Sequence, residues 1–293
     1  MPTLPALRRL IPALALALAA APALAATELT ITPYNPGNDA IFQVASVLVS
    51  GERDAILVDA QFGKSQADQV VAMVRASGKR LTTIYISHGD PDFYFGLDTL
   101  QAAFPDAKVV ATAPTVRHIR ETVDAKLAFW GPKLGADAPR KAVVPQVLEG
   151  DTLTLEGQAL KITGLDGPQP DRTFVWIPSR QAVVGGVVVF GNLHVWTADT
   201  QSPQSRADWL ATLARIDALK PATVVPGHYA PGAPLTLESV RYTQGYLRAF
   251  EAEAARAPDS AALIQAMRAR YPQAGAAASL EISAKVAKGE MKW

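Results

Sequence analysis

The chain has 293 residues, of which 49% are hydrophobic and 19% are charged, and its formal net charge is +1. This composition provides material for a sizeable apolar core and excludes a disordered protein, while the near-neutral charge argues against nucleic acid or an anionic membrane as the main partner. The sequence has no cysteine, which excludes disulfides, thiolate zinc sites and thiol catalysis.

Residues 1–26 have the pattern of a secretory signal peptide. Two arginines precede an apolar run over 11–20, and Ala23-Leu24-Ala25 provides the small residues of a cleavage site. An uncleaved anchor is the alternative, but the run is shorter than the ~20 residues of a spanning helix. We therefore expect a periplasmic or secreted protein that starts near Ala26 and has no membrane attachment after cleavage. Losing the two arginines lowers Lys+Arg from 28 to 26 against 27 Asp+Glu.

Apolar spacing and turn signals predict alternating strands and helices in the first half of the mature chain. The predicted strands cover 29–32, 41–49, 55–59, the apolar run that ends at Ile86, and 108–111. The predicted helices cover 65–77, 97–104 and 114–130. A loop is predicted over 131–145, and long loops are often functional covers. Trp130 and Lys133 therefore either border a cleft or are ordinary residues of this region.

The second half repeats the order from strands to helices. Strands are predicted over 152–155, 159–163, 173–177, 182–189 and 222–225. Helices are predicted over 205–219, 235–250 and 260–270, with an Ala-rich joint over 251–258. No linker divides residues 27–293, so the pattern indicates one domain in which helices cover two β-sheets.

The most informative stretch is the turn that follows the apolar run Ile84-Tyr85-Ile86. His88, Asp90 and Asp92 lie at i, i+2 and i+4, which brings one imidazole and two carboxylates together at a strand end, where open α/β sheets place ligands. The alternative is that the two acids cap the helix that begins near Asp92. His228 follows a second predicted strand, and a single histidine in such a place is interpreted as structural.

Four further residues have two interpretations each, and a fifth, His118, has one. His194 and Trp196 either line a cleft mouth, with His194 as an accessory ligand, or pack in a loop. Tyr94 either places its hydroxyl near a metal or closes a pocket wall. Asp59, at a predicted strand end, either supports the site from behind or caps a turn, and we favour the cap. His118 is predicted to be a solvated helix residue remote from the site.

The order of these motifs carries a family resemblance. Residues 87–96, Ser-His-Gly-Asp-Pro-Asp-Phe-Tyr-Phe-Gly, resemble a degenerate form of the metallo-β-lactamase superfamily signature, His-x-His-x-Asp-His followed by Gly. Residues 224–228 are similar to the late strand of that superfamily, which ends in Gly-His. Residues 176–190 resemble the hairpin whose second strand ends in a Gly-Asp step. The resemblance implies an α+β fold, a four-layer αββα sandwich.

The departures from the pattern define the expected site. The resemblance places His88, Asp92 and His228 at ligand positions, whereas Asp90 and Phe93 replace two histidines. Val187 stands where the resemblance implies a bridging aspartate, and Asp166 is the nearest match to the remaining expected histidine. A two-metal centre is therefore not expected.

These residues lead to a functional hypothesis. His88, Asp90, Asp92 and His228 hold one divalent ion, zinc first, with iron or manganese as alternatives. A metal-activated water then attacks an ester, thioester, lactone or amide of a small-molecule substrate. Asp90 and Asp92 are the expected catalytic carboxylates, and Asp90 is the preferred general base. The alternative is a catalytically silent binding protein that keeps the fold without the metal. The sequence leaves the oligomeric state undetermined.

Overall fold

The computed structural model describes residues 27–293, so the predicted signal peptide lies outside the described range. The strands are β1 Thr30–Tyr34, β2 Ser46–Ser50, β3 Asp54–Val58, β4 Arg80–Ile86, β5 Lys108–Ala111, β6 Gln146–Val147, β7 Thr152–Leu155, β8 Gln158–Thr163, β9 Phe174–Ile177, β10 Ala182–Val184, β11 Phe190–Gly191, β12 Thr223–Val224 and β13 His228–Tyr229. The helices are α1 Lys64–Ala76, α2 Pro91–Tyr94, α3 Leu97–Ala103, α4 Ala113–Leu134, α5 Pro203–Leu219, α6 Leu237–Arg256, α7 Ser260–Arg270 and α8 Ala277–Ala287. Within residues 27–293, none of these helices is long and apolar enough to cross a bilayer.

The strands form two large sheets and one short one. The first sheet has the order β1-β2-β3-β4-β5-β6, antiparallel up to β3 and parallel from β3 to β6. The second has the order β12-β10-β9-β8-β7, antiparallel apart from the parallel pair of β10 and β12. The short sheet pairs β11 with β13 in parallel. This arrangement agrees with the predicted α+β class.

Side-chain alternation on the strands explains why the sheets are covered on both faces. On β3, Ile56 and Val58 belong to one buried cluster with Val175 of β9 and Val184 of β10, between the two sheets. Leu57 points the other way, into the cluster that contains buried residues of the helices. Full burial of each such side chain contributes roughly 1.5–3 kcal/mol, so both faces of β3 stabilise the sandwich.

The predicted strand over 182–189 ends early, at Val184, and this determines where the late histidine lies. Gly185 and Gly186 have φ values of +66° and +81°, which favour glycine. A Cβ atom on Gly186 would lie 2.0 Å from the carbonyl oxygen of Thr173. The chain therefore turns at the two glycines and pairs again through β11, where Phe190 lies beside His228 of β13.

Other differences concern helix ends. α4 continues to Leu134 and α6 to Arg256, so the predicted loop and the Ala-rich joint both begin later than expected. The sequence analysis missed α8, whose alanine-rich sequence has high helix propensity but lacks a broad apolar stripe. The predicted start of the second strand at residue 41 is also wrong, because β2 begins at Ser46.

A carboxylate in the β7–β8 turn links the two large sheets. Glu156 accepts hydrogen bonds from the backbone N–H groups of Arg53 at 2.7 Å, Asp54 at 2.8 Å and Glu52 at 2.8 Å. These three N–H groups lower the pKa of Glu156 to about 2. The charged form of Glu156 therefore holds the β2–β3 turn against the second sheet.

We predict that Glu156→Gln lowers the thermal unfolding midpoint at neutral pH. Because folding depresses the pKa of Glu156, its contribution is present above the ordinary glutamate pKa and is lost as pH falls through about 2. The difference in midpoint between the wild type and the variant should therefore narrow on acidification. The same change at the exposed Glu121 is the control, and an equal effect at both positions would refute the link.

Candidate functional site

The turn after β4 is supported from behind by Asp59. Its Oδ1 accepts the backbone N–H of Ser87 at 2.8 Å and its Oδ2 accepts the Ser87 hydroxyl at 2.6 Å. The Ser87 oxygen in turn accepts the N–H of Gly186 at 2.7 Å. Burial raises the pKa of Asp59 to about 7. Asp59 thus positions the residue before His88, and the favoured interpretation of Asp59 as a simple turn cap was wrong.

His88 forms one half of the first His–Asp pair. Its Nδ1 lies 3.1 Å from the carbonyl oxygen of Asp171, and because a carbonyl only accepts, Nδ1 carries the hydrogen. Its Nε2 lies 3.2 Å from Oδ2 of Asp90. Burial lowers the pKa of His88, but the charge of Asp90 and its hydrogen bond to the imidazole together outweigh burial and leave that pKa raised. The imidazole is thus held in one orientation and faces a carboxylate.

Asp90 forms the other half, and it also contacts a lysine. It occupies the N-cap position of α2, but its side chain makes no capping hydrogen bond. Its Oδ1 lies 3.3 Å from Nζ of Lys126 on α4. Burial opposes ionisation, yet His88 and Lys126 together hold the pKa of Asp90 well below its usual range. Asp90 is therefore an ionised carboxylate between an imidazole and an ammonium group, and its interpretation as a helix cap was wrong.

Asp92 and His228 form the second His–Asp pair. Oδ2 of Asp92 lies 2.7 Å from Nε2 of His228, and both residues are buried. The imidazole stacks on Phe190, with ring centroids 4.9 Å apart. Its Nδ1 is buried and has no hydrogen-bond partner among residues 27–293. The late histidine therefore does reach the early turn, through Asp92.

Phe93 separates the two pairs. Its ring centroid lies 5.4 Å from that of His88 and 5.3 Å from that of His228, and both ring pairs meet at 79°. Phe93 is completely buried. In residues 27–293 no group of three or more His, Asp or Glu side chains is arranged to hold a metal ion. The four predicted ligands thus form two pairs, and this arrangement does not fit one shared ion.

A small cavity lies over the two pairs. Its volume is about 40 Å³ and its floor includes Asp90, Asp92 and His228. Aromatic side chains form much of its wall: Phe42, Trp130, Phe190, Trp196 and Trp293. One water molecule needs roughly 10–15 Å³ of such space, so the cavity is larger than the site of a single water. Trp130 borders the cavity as predicted, whereas Lys133 does not line it.

Trp293 closes one side of the cavity through contacts that side-chain rotation can break. Its indole Nε1 donates to Oδ1 of Asp199 at 2.7 Å, and its ring meets Trp196 edge-on at 5.0 Å. Nε1 of Trp196 donates to the other carboxylate oxygen of Asp199. Asp199 therefore holds both indoles over the cavity.

The remaining candidate residues lie in different surroundings. Trp196 and His194 line the cavity, but Nδ1 of His194 lies 3.0 Å from the Tyr246 hydroxyl, and burial lowers the pKa of His194 to about 4. His194 is therefore neutral near pH 7. Tyr94 is buried and does not line the cavity. Asp166 is 77% exposed and pairs with Arg215 at 3.0 Å, away from the other candidates.

Four residues of the site were missed or misplaced by the sequence analysis. His118 stacks on His88, with ring centroids 6.5 Å apart, so the prediction that it is remote was wrong. Lys126 lies eight residues after His118 on α4. This spacing is about two helical turns, which brings both side chains to the same side of the helix. Arg172 lies in the connection between β8 and β9, and Asp199 in the connection between β11 and α5, where the sequence has no periodic signal.

Asp59→Asn tests whether the buried carboxyl is protonated. Because folding raises the pKa of Asp59 to about 7, its stabilising contribution is complete below about pH 4 and is lost as pH rises through 7. Between about pH 5.5 and 8, the free energy of unfolding should fall by about 2 kcal/mol more in the wild type than in Asp59→Asn. Urea unfolding measures this, with Asp39→Asn, an exposed position, as control. Parallel pH profiles for wild type and Asp59→Asn would contradict the assignment.

Known proteins resemble this chain at the level of family and fold. The model of the metallo-β-lactamase superfamily matches residues 40–228, while no curated protein matches the sequence significantly. A metallo-β-lactamase family protein of Thermus thermophilus is 17% identical, with a TM-score of 0.61 over 89% of this chain and 91% of that one. A metallo-β-lactamase from Pontibacter korlensis is 18% identical, with a TM-score of 0.55 over 75% of this chain and 99% of that one.

These matches confirm the predicted family and the predicted sandwich. Members of the superfamily bind metal ions, usually zinc, and their fold is of the metal-dependent hydrolase type. Because the two solved structures are under 20% identical to this chain in sequence, they show the fold alone. The family model, in contrast, covers both the early turn and His228. The chain belongs to the metallo-β-lactamase superfamily.

Proposed function

We propose that this protein is a catalytically silent binding protein of the metallo-β-lactamase fold, which holds a small molecule in the aromatic cavity over the two His–Asp pairs. The position of the Phe93 ring between His88 and His228 carries this proposal. An apolar ring is not a metal ligand, and in a close-packed core it cannot move aside without loss of packing.

A second substitution supports the same conclusion. Val187, at the position where the family resemblance implies a bridging aspartate, is buried and lines the cavity. It offers an apolar surface at the floor, next to the aromatic wall. Such a surface, with few polar groups, is typical of small-molecule binding sites.

Metal-dependent hydrolysis is the second candidate, and two observations favour it. His88 donates its Nδ1 hydrogen to a backbone carbonyl, as metal-ligating histidines commonly do, and Asp92 reaches His228 at 2.7 Å. In this alternative His88, Asp90, Asp92 and His228 would hold one divalent ion after rearrangement around Phe93. The ion would supply an activated water for an ester, thioester, lactone or amide.

The setting of this function is also a proposal. The leader-like residues 1–26 and the near-neutral charge support a periplasmic or secreted protein whose partner is a small molecule and not a nucleic acid or a membrane. The cavity supports the same class of partner, because aromatic rings and a few polar groups line it, as in typical small-molecule sites.

Metal content distinguishes the two candidates. Protein purified without added metal or chelator should contain well below one equivalent of zinc, iron and manganese. It should hydrolyse 4-nitrophenyl acetate, an acyl thioester, a γ-lactone and a β-lactam no faster than His88→Ala and His228→Ala. About one equivalent of metal that is lost in both variants, together with hydrolysis that is also lost, would support the hydrolase and contradict the binding protein.

Indole binding to Trp293→Ala tests whether the cavity accepts a ligand. Removing the Trp293 side chain leaves a space of the shape of indole beside the aromatic wall, with Asp199 able to accept the indole N–H as it accepts that of Trp293. Calorimetry should show tighter indole binding to Trp293→Ala than to the wild type. Trp176→Ala on β9, which does not line the cavity, is the control. If Trp293→Ala and Trp176→Ala bind indole equally, the cavity is not a ligand site.

A further inference from the structure

An ammonium group lies beside the Asp90 carboxylate. Lys126 Nζ is 3.3 Å from Oδ1 of Asp90, whose other oxygen is 3.2 Å from Nε2 of His88. The ammonium also lies 5.6 Å from the ring centroid of Trp293. The lysine and aspartate side chains are 19% and 15% exposed, so this is a largely desolvated pair, unlike a surface ion pair.

Fixed positive charge already balances much of the acid in this region. Asp90, Asp92 and Asp199 line the cavity together with Lys126. Arg172 adds a second cation nearby, with its buried guanidinium 4.3 Å from the ring centroid of Trp209. A divalent ion that approached Asp90 would meet the repulsion of the ammonium at short range, where like charges interact strongly.

The geometry of His88 and Asp90 nevertheless resembles that of two ligands on one ion. With metal–nitrogen and metal–oxygen distances near 2.0–2.2 Å, two ligands of a tetrahedral ion lie about 3.3–3.6 Å apart. Nε2 of His88 and Oδ2 of Asp90 are 3.2 Å apart. The Nδ1 hydrogen bond to the Asp171 carbonyl leaves Nε2 as the atom that would bind. Two protein ligands are in place, and water would complete the shell.

We propose that the Lys126 ammonium substitutes for a metal cation at Asp90 and closes a latent divalent-cation site formed by His88 and Asp90. The charge of Lys126, and not the lack of ligands alone, keeps this site from binding zinc. The proposal rests on the proposed function in one respect, namely that the wild type holds no ion at His88.

Zinc titration of Lys126→Met tests this. Calorimetry with zinc alone should show binding at least about tenfold tighter than to the wild type, because a neutral side chain no longer repels the ion. Lys126→Arg, which keeps the charge, should bind no better than the wild type. Lys133→Met, a change on the same helix outside the cavity, is the matched control. Adding His88→Ala to Lys126→Met should remove the gain. Circular dichroism checks that each variant is folded, and Lys126→Gln provides a second neutral variant.

The outcomes separate this inference from the proposed function. Equal zinc affinity of the wild type, Lys126→Met and Lys126→Gln, all weak, would overturn the role of Lys126 and leave the binding protein standing. Tight zinc binding by the wild type that depends on His88 would overturn both. A gain in Lys126→Met that survives His88→Ala would place the new site elsewhere and also overturn the inference.

Discussion

The position of one aromatic ring determines what the rest of this site can do. Phe93 meets two imidazoles in edge-to-face geometry, with ring centroids 5.4 and 5.3 Å apart, and it belongs to the main buried cluster. Truncating a buried phenylalanine typically costs 3–5 kcal/mol, so the ring is as much a part of the core as of the site. The same contacts that stabilise this end of the sheets keep the two His–Asp pairs apart.

Each pair is fixed by the backbone around it. His88 is held between Asp90 and the Asp171 carbonyl, and the residue before it is held by Asp59. His228 lies on β13 beside β11, and β11 follows a turn that is possible because Gly186 packs against Thr173. These supports come from both sheets and fix the positions of the polar groups. The indoles of Trp196 and Trp293 border the cavity above them.

The sequence was sufficient to predict those features that depend on local pattern. Strand ends carry His88 and His228, and the i, i+2, i+4 spacing brings His88 near Asp90, as observed. Motif order predicted the family, which the match over residues 40–228 confirms. The predicted use of His88, Asp90, Asp92 and His228 as ligands of one metal ion stays a prediction, and their separation by Phe93 could not be read from spacing.

The remaining features depend on tertiary packing. Lys126 and His118 reach the site because α4 crosses behind the turn, and nothing in a lone helical lysine distinguishes this from a solvated one. Gly185 and Gly186 fitted a strand pattern, yet their positive φ values end the strand. Trp293 lies far from His88 in sequence, and only the fold brings it over the cavity.

Nitrogen-15 NMR of the two imidazoles during a zinc titration tests the central claim most directly. The account predicts that the ring signals of His88 and His228 in the wild type show no joint change at one equivalent of zinc, because the two rings belong to separate pairs. If both sets of signals shift together and saturate at one equivalent, a single ion joins the two histidines, and the separation by Phe93 is contradicted.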